Sequence, residues 1–155
     1  MASWNHETDS YSFGTIDIGR VVDMIDGGFP ASMLYPDATP EEIKSLSQRF
    51  GPQHINPDTL ELYLSFHAYV IKTDNHTILV DACVGNGKER PGRDIWNNRS
   101  GPFLDNLARQ GVTPDDIDVV MCTHLHADHV GWNTKQVNGE WVPTFANAQY
   151  LFAER

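Results

Sequence analysis

The chain has 155 residues, enough for one ordinary domain with a core of its own. Its 21 acidic residues against 11 basic ones give a formal net charge of −10. That balance disfavours nucleic acid and acidic lipid as partners, because affinity for either comes mainly from Lys and Arg. No apolar run approaches the length that crosses a bilayer, and the polar start Met1–Ser10 has neither the basic residues nor the apolar run of a secretory signal. Cys83 and Cys122 each lie in an apolar run, and two cysteines are too few for a disulfide scaffold. Reduced, buried thiols in a cytoplasmic protein are the expectation.

No repeat, low-complexity tract or linker divides the chain, so residues 1–155 are read as a single domain with residues 1–12 disordered. Ile16, Ile18, Val21 and Val22 predict one or two strands within Phe13–Met24, and Gly27-Gly28-Phe29-Pro30 is expected to break the pattern. Thr39-Pro40-Glu41-Glu42 is a helix start, with Thr39 as cap, Pro40 at the first position and Glu42 placed to return a bond. Ile43, Leu46 and Phe50 then share a face before Gly51-Pro52 stops the helix. Leu62–Lys72 alternates as a strand covered on both faces, and Thr77–Asp81 returns as its partner after a turn. A long irregular loop follows to Arg99, then a short helix carrying Phe103, Leu104 and Leu107. Thr113-Pro114-Asp115-Asp116 is a capped turn leading into Ile117–Cys122, whose continuous apolar run predicts a strand buried on both faces. Asn138-Gly139 between Lys135–Val137 and Glu140–Val142 is a hairpin signal, and Gln149–Phe152 opens a last strand. Strands with interspersed helices indicate a layered α/β (α+β) domain.

Thr123-His124-Leu125-His126-Ala127-Asp128-His129 follows that buried strand directly. In extended backbone, side chains two apart point the same way, so His124 and His126 can face one ion; Asp128 and His129 come where the chain bends and can face a second. Imidazole with carboxylate suits zinc, and also iron, manganese or cobalt. Other tempting residues have plainer readings. His67, between Tyr63 and Tyr69, is read as a packed or hydrogen-bonded histidine, and Trp96, Trp132 and Trp141 as either packing or the lining of a substrate mouth.

The run Thr123–Gly131 resembles the His-x-His-x-Asp-His motif of the metallo-β-lactamase superfamily, and Ile78-Leu79-Val80-Asp81 with Gly85 resembles that family's strand ending in Asp before a glycine loop. The likeness covers residues 60–152 well and the first 60 loosely. It implies half of an αββα sandwich, mostly antiparallel sheet with flanking helices, and places His124 and His126 on a first metal and Asp128 and His129 on a second. Asp81 would orient a ligand histidine from behind and Thr123 would support the loop. The implied activity is hydrolysis by a metal-bound hydroxide of a small-molecule ester, thioester, lactone or phosphotriester, with Asp128 handling the proton and zinc as the metal. The phrase Asp128-His129-Val130-Gly131-Trp132-Asn133 departs from the Gly-Gly of many family members and resembles the group that includes lactonases and organophosphate hydrolases. A nuclease of the same fold would use the same ligands, but the charge opposes it.

The resemblance also implies further ligands from a second half, whereas no His, Asp or Cys follows His129. The expectation is therefore the truncated N-terminal half of such a hydrolase, with little or no activity alone; the alternative is an inactive fragment or a non-catalytic metal-binding subunit. Half a sandwich would leave an apolar sheet face exposed and prone to self-association.

Overall fold

The structure is a computed structural model, and it describes residues 3–5 and 9–154. The chain forms two compact units, one built from residues up to Met24 and from Phe66 onward, the other from Ile25–Ser65.

The strands in chain order are β1 (Ser3–Asn5), β2 (Ser10–Phe13), β3 (Ile16–Pro30), β4 (Glu61–Lys72), β5 (Thr77–Val80), β6 (Val119–Met121), β7 (Thr134–Val137), β8 (Glu140–Pro143) and β9 (Gln149–Leu151). Among the described residues, seven of them make one sheet in the order β1-β2-β3-β4-β5-β6-β9, and β7 and β8 make a separate hairpin. The β1–β2, β2–β3 and β4–β5 pairs are antiparallel, while β6 lies parallel to both β5 and β9. The parallel pairs place the C-terminal ends of β5 and β6 side by side, with Val80 opposite Met121. That adjacency brings Asp81 next to the histidine run.

Pairing register separates two faces of this sheet. Val70, Leu79 and Val120 stand opposite one another on a face that is fully covered, and α3 (Phe103–Arg109) supplies Phe103 and Leu107 to the same buried cluster. Asn106 and Gln110 tie this helix down by donating to the Val22 and Arg20 carbonyls at 2.7 and 3.2 Å. On the other face Tyr69, Val80, Met121 and Leu151 form a row across four strands, and Tyr69, Met121 and Leu151 are each 41% exposed. The expectation that Leu62–Lys72 and Ile117–Cys122 are covered on both faces is thus corrected. Apolar composition records a preference for cover on both sides; the fold of the described residues provides it on one.

Two other expectations need correction. The chain does not break at Gly27-Gly28, since β3 runs on to Pro30; glycine weakens a strand without forbidding it, and a proline is tolerated at a strand end, where its missing N–H need not join a ladder. Of the stretch 1–12 expected to be disordered, residues 1, 2 and 6–8 lie outside the described residues, while Ser3–Asn5 and Ser10–Phe13 are paired strands. Polar side chains on an edge strand do not stop its backbone from hydrogen bonding.

In the smaller unit, α1 (Ala31–Leu34) and α2 (Pro40–Phe50) follow β3, and the predicted capping box at α2 is complete. Thr39 donates its backbone N–H to the Glu42 carboxylate at 2.8 Å, and its hydroxyl accepts from the Glu42 N–H at 3.3 Å. Ile43 is buried with Ile55 and Leu62, whereas Leu46 and Phe50 on the same helix line a cavity of about 340 Å³ with Tyr35 and Tyr63. The β7–β8 turn has φ of +53° at Asn138 and +87° at Gly139, the pair of left-handed residues that a tight two-residue hairpin requires. None of the described helices is long and apolar enough to cross a membrane.

The two faces of the sheet make unequal demands. Leu79→Ala is expected to lower unfolding free energy by about 2–5 kcal/mol, and Met121→Ala, on the exposed row, by less than about 1 kcal/mol. Urea denaturation of the two variants measures this, and equal losses would contradict the assignment of faces.

Candidate metal centre

The site is built where two loops leave the sheet. Residues 81–84 follow β5 and residues 122–133 follow β6, and the main chains are laced together. Asp81 N–H donates to the Met121 carbonyl (2.9 Å), Ala82 to His129 (2.8 Å), Gly131 to Cys83 (2.7 Å) and Trp132 to Ala82 (2.6 Å). Asp81 and Cys83 adopt left-handed φ of +63° and +40°, a conformation costly for residues with a Cβ and sustained here by the surrounding bonds. Gly131 permits the approach, because a Cβ there would overlap the Val84 carbonyl, and a Cβ at Gly85 would stand 2.6 Å from the Gly131 main chain. Trp132 is buried and stacked on Phe103, with ring centroids 5.4 Å apart, so it belongs to the core rather than to a substrate mouth. Trp96 packs edge-on against Phe66, and Trp141 lies under the Lys88 ammonium at 3.8 Å.

Asp81 organises the loops. One carboxylate oxygen accepts from the Thr123 N–H at 2.8 Å, both accept from its hydroxyl at 3.0 and 2.9 Å, and Oδ2 lies 2.8 Å from His129 Nδ1. A carboxylate accepts only, so in this contact His129 donates from Nδ1 and turns Nε2 the other way. Thr123 Oγ1 is also 3.1 Å from His124 Nδ1.

The imidazoles of His124 and His126 have centroids 4.7 Å apart, and those of His124 and His129 3.8 Å. The His129 N–H donates to the His126 carbonyl at 2.9 Å, closing the bend between the two pairs. Asp128 Oδ2 lies 3.5 Å from His129 Nε2. His124 and His126 are exposed; Asp128 and His129 are partly buried. Among the described residues, no three His, Cys, Asp or Glu side chains close into a metal cage. Three imidazoles and a carboxylate are nonetheless collected within one short segment, and the donor set has the chemistry that borderline metals such as zinc take.

Cys83 and Cys122 are free and buried. Burial, reinforced by the nearby Asp23 and Asp81 carboxylates, pushes the Cys83 thiol well above its ordinary range, and burial also raises Cys122. Both therefore remain protonated thiols at neutral pH and are poor ligands. His67 Nε2 meets the Tyr69 hydroxyl at 3.1 Å, in keeping with a hydrogen-bonded histidine.

A family model described as the metallo-beta-lactamase superfamily matches residues 67–154, more than half of the chain. The chain belongs to the metallo-beta-lactamase superfamily. Among similar proteins of this superfamily's fold, AidC, a dizinc quorum-quenching lactonase solved with a product, superposes with a TM-score of 0.70 at 19% identity, over 96% of this chain and 44% of that one. The hydrolase AbOPH superposes at 0.67 and 22% identity, over 91% of this chain and 42% of that one. At these identities the likeness is one of fold. The N-acyl homoserine lactonase AiiB of Agrobacterium fabrum is 31% identical over 77 residues, 41% of this chain and 27% of that relative. The chain thus spans about a quarter of the curated relative and under half of the solved structures. The mixed α/β architecture agrees with the fold that the sequence implied.

Sequence reading missed the supports behind the motif. Asp23, 1% exposed, accepts from the Val84 N–H at 3.1 Å and faces the Arg99 guanidinium at 3.6 Å. Its signal was faint: one of three aspartates in β3, set between Val22 and Met24. Arg90, which reaches both loops, lies in a segment that has no regular pattern in the sequence.

Removing the Asp81 carboxylate would leave the Thr123 and His129 donors facing empty space. Asp81→Ala is expected to cost about 2–4 kcal/mol of stability by chemical denaturation, with Asp81→Asn intermediate. Wild-type stability in Asp81→Ala would show that the carboxylate holds nothing.

Proposed function

We propose that this chain supplies the His-x-His-x-Asp-His half of the metal site of a hydrolase acting on small-molecule esters, lactones or phosphotriesters, as the N-terminal half of a metallo-β-lactamase-like domain. The reading is carried by one observation: the imidazoles of His124, His126 and His129 lie together while Asp81 fixes the outward nitrogen of His129. In this reading His124 and His126 hold one zinc ion, and Asp128 and His129 hold a second. Zinc, when bound, supplies Lewis-acid activation of water and of the carbonyl or phosphoryl oxygen that gains charge.

The chain's own residues do the rest. Asp81 orients His129 through Nδ1, and Thr123 braces the start of the loop by its two bonds to that carboxylate. Asp128 takes the proton of the attacking water on a carboxylate oxygen and returns it to the oxygen of the leaving group. The name of the lactonase relative favours a lactone or ester substrate over a phosphodiester, and net charge −10 points the same way. Residues 1–155 supply two imidazoles to the first ion, so the isolated chain is expected to bind it loosely and to show little or no turnover. The exposed row of Tyr69, Met121 and Leu151 gives it a surface for self-association.

Zinc titration with metal analysis tests this reading. The chain is expected to take up zinc, and His126→Ala or His129→Ala to weaken uptake at least tenfold; indifference to both substitutions would refute it. Light scattering is expected to show dimers or larger species that Met121→Asp with Leu151→Asp disperses. A strictly monomeric wild-type chain would remove the self-association proposal alone.

A further inference from the structure

Four of the chain's 11 basic residues, Lys88, Arg90, Arg93 and Arg99, fall within twelve positions of the segment joining β5 to α3. Two of them reach the segment that follows β6. Arg90 Nη2 donates to the Val84 carbonyl at 2.7 Å and to the Ala127 carbonyl at 3.3 Å. Lys88 Nζ donates to the hydroxyl and carbonyl oxygens of Thr134 at 2.9 and 3.2 Å. Ala127 lies between His126 and Asp128, so Arg90 grips the motif at its middle while Lys88 grips the chain beyond it.

The anchor end of the Arg90 bridge is itself fixed. Val84 is fully buried, its N–H is held by the buried Asp23 carboxylate, and Asp23 is faced by Arg99. The chain of contacts Arg99–Asp23–Val84–Arg90–Ala127 therefore runs from the core to the backbone of the histidine loop. Among the described residues, the buried Arg90 Nη1 has no hydrogen-bond partner. An unmet buried donor costs stability, and such costs persist at positions whose geometry serves something other than stability. Burial first, and the neighbouring Arg99 charge second, also lower the Arg90 pKa.

We infer that Arg90 is a positioning residue: by bridging the Val84 and Ala127 carbonyls it fixes the backbone between His126 and Asp128 and so sets the direction in which Asp128 and His129 present their donors. Lysine cannot replace it fully, since its flexible stem holds a single nitrogen between the two carbonyls less firmly than the planar guanidinium holds Nη2. The metal consequence of the inference rests on the proposed function, but the ordering of the loop does not.

Hydrogen exchange on the metal-free chain tests the ordering directly. In Arg90→Gln, amides of residues 124–132 are expected to exchange at least fivefold faster than in wild type, while those of α3 stay unchanged. Arg93→Gln removes the same charge from the same loop, where Arg93 lies against Trp96, and is expected to leave residues 124–132 as in wild type. Wild-type exchange in Arg90→Gln, or equal acceleration in Arg93→Gln, would overturn the inference. Should Arg90→Gln lose its far-UV signal, Arg90→Lys decides the question by the same comparison.

Cobalt(II) supplies a second readout that a merely structural arginine would not move. Arg90→Gln is expected to bind cobalt at least tenfold more weakly than wild type and to alter its visible bands. Unaltered affinity and bands would contradict the role at the metal. A wild-type chain that takes no cobalt would instead defeat the proposed function, and the exchange experiment would still decide on Arg90.

Discussion

The Asp81 carboxylate is the interaction on which the site depends. It receives the Thr123 N–H and hydroxyl and the His129 ring within 3.0 Å, and it does so from a left-handed residue at the end of β5. Parallel pairing of β5 with β6 makes this possible, because strands running the same way deliver their C-terminal loops to the same edge of the sheet. The carboxylate then converts two neighbouring loop starts into one assembly. Holding Nδ1 leaves Nε2 of His129 as the nitrogen placed to ligate, so a single carboxylate oxygen sets the ring's orientation.

Around that contact the main chain supplies most of the order. Bonds between residues 81–84 and 129–132 close the two loops on each other, and Gly131 and Gly85 keep the approach free of side chains. The histidines themselves are comparatively exposed, in contrast to the buried residues that support them. Rings with centroids 3.8 and 4.7 Å apart gather three imidazoles over one short segment. Neutral imidazole is the form that ligates metals.

The sequence made the motif legible because four donors in six positions after an apolar strand leave few other uses for those residues. Helix α2 and the β7–β8 turn were legible for local reasons: Thr39 and Glu42 complete each other's bonds, and Asn138-Gly139 supplies two left-handed residues. What escaped was non-local. Leu62–Lys72 and Ile117–Cys122 read as doubly covered because composition cannot say which face finds a partner, and Tyr69 and Met121 lie on the open one. Gly27-Gly28 read as a break because glycine's local preference is weaker than the pairing that carries β3 through it. Arg90 and Asp23 could not be identified, since their meaning lies in carbonyls and amides brought to them from elsewhere in the chain.

The coupling of Asp81 to His129 can be observed without substitution by long-range proton–nitrogen correlation of the histidine rings, at a pH where they are neutral. The account predicts that His129 carries its proton on Nδ1, and that its Nε2 resonance moves on adding zinc. A proton found on Nε2 instead, or an Nε2 resonance that stays in place at saturating zinc, would contradict it.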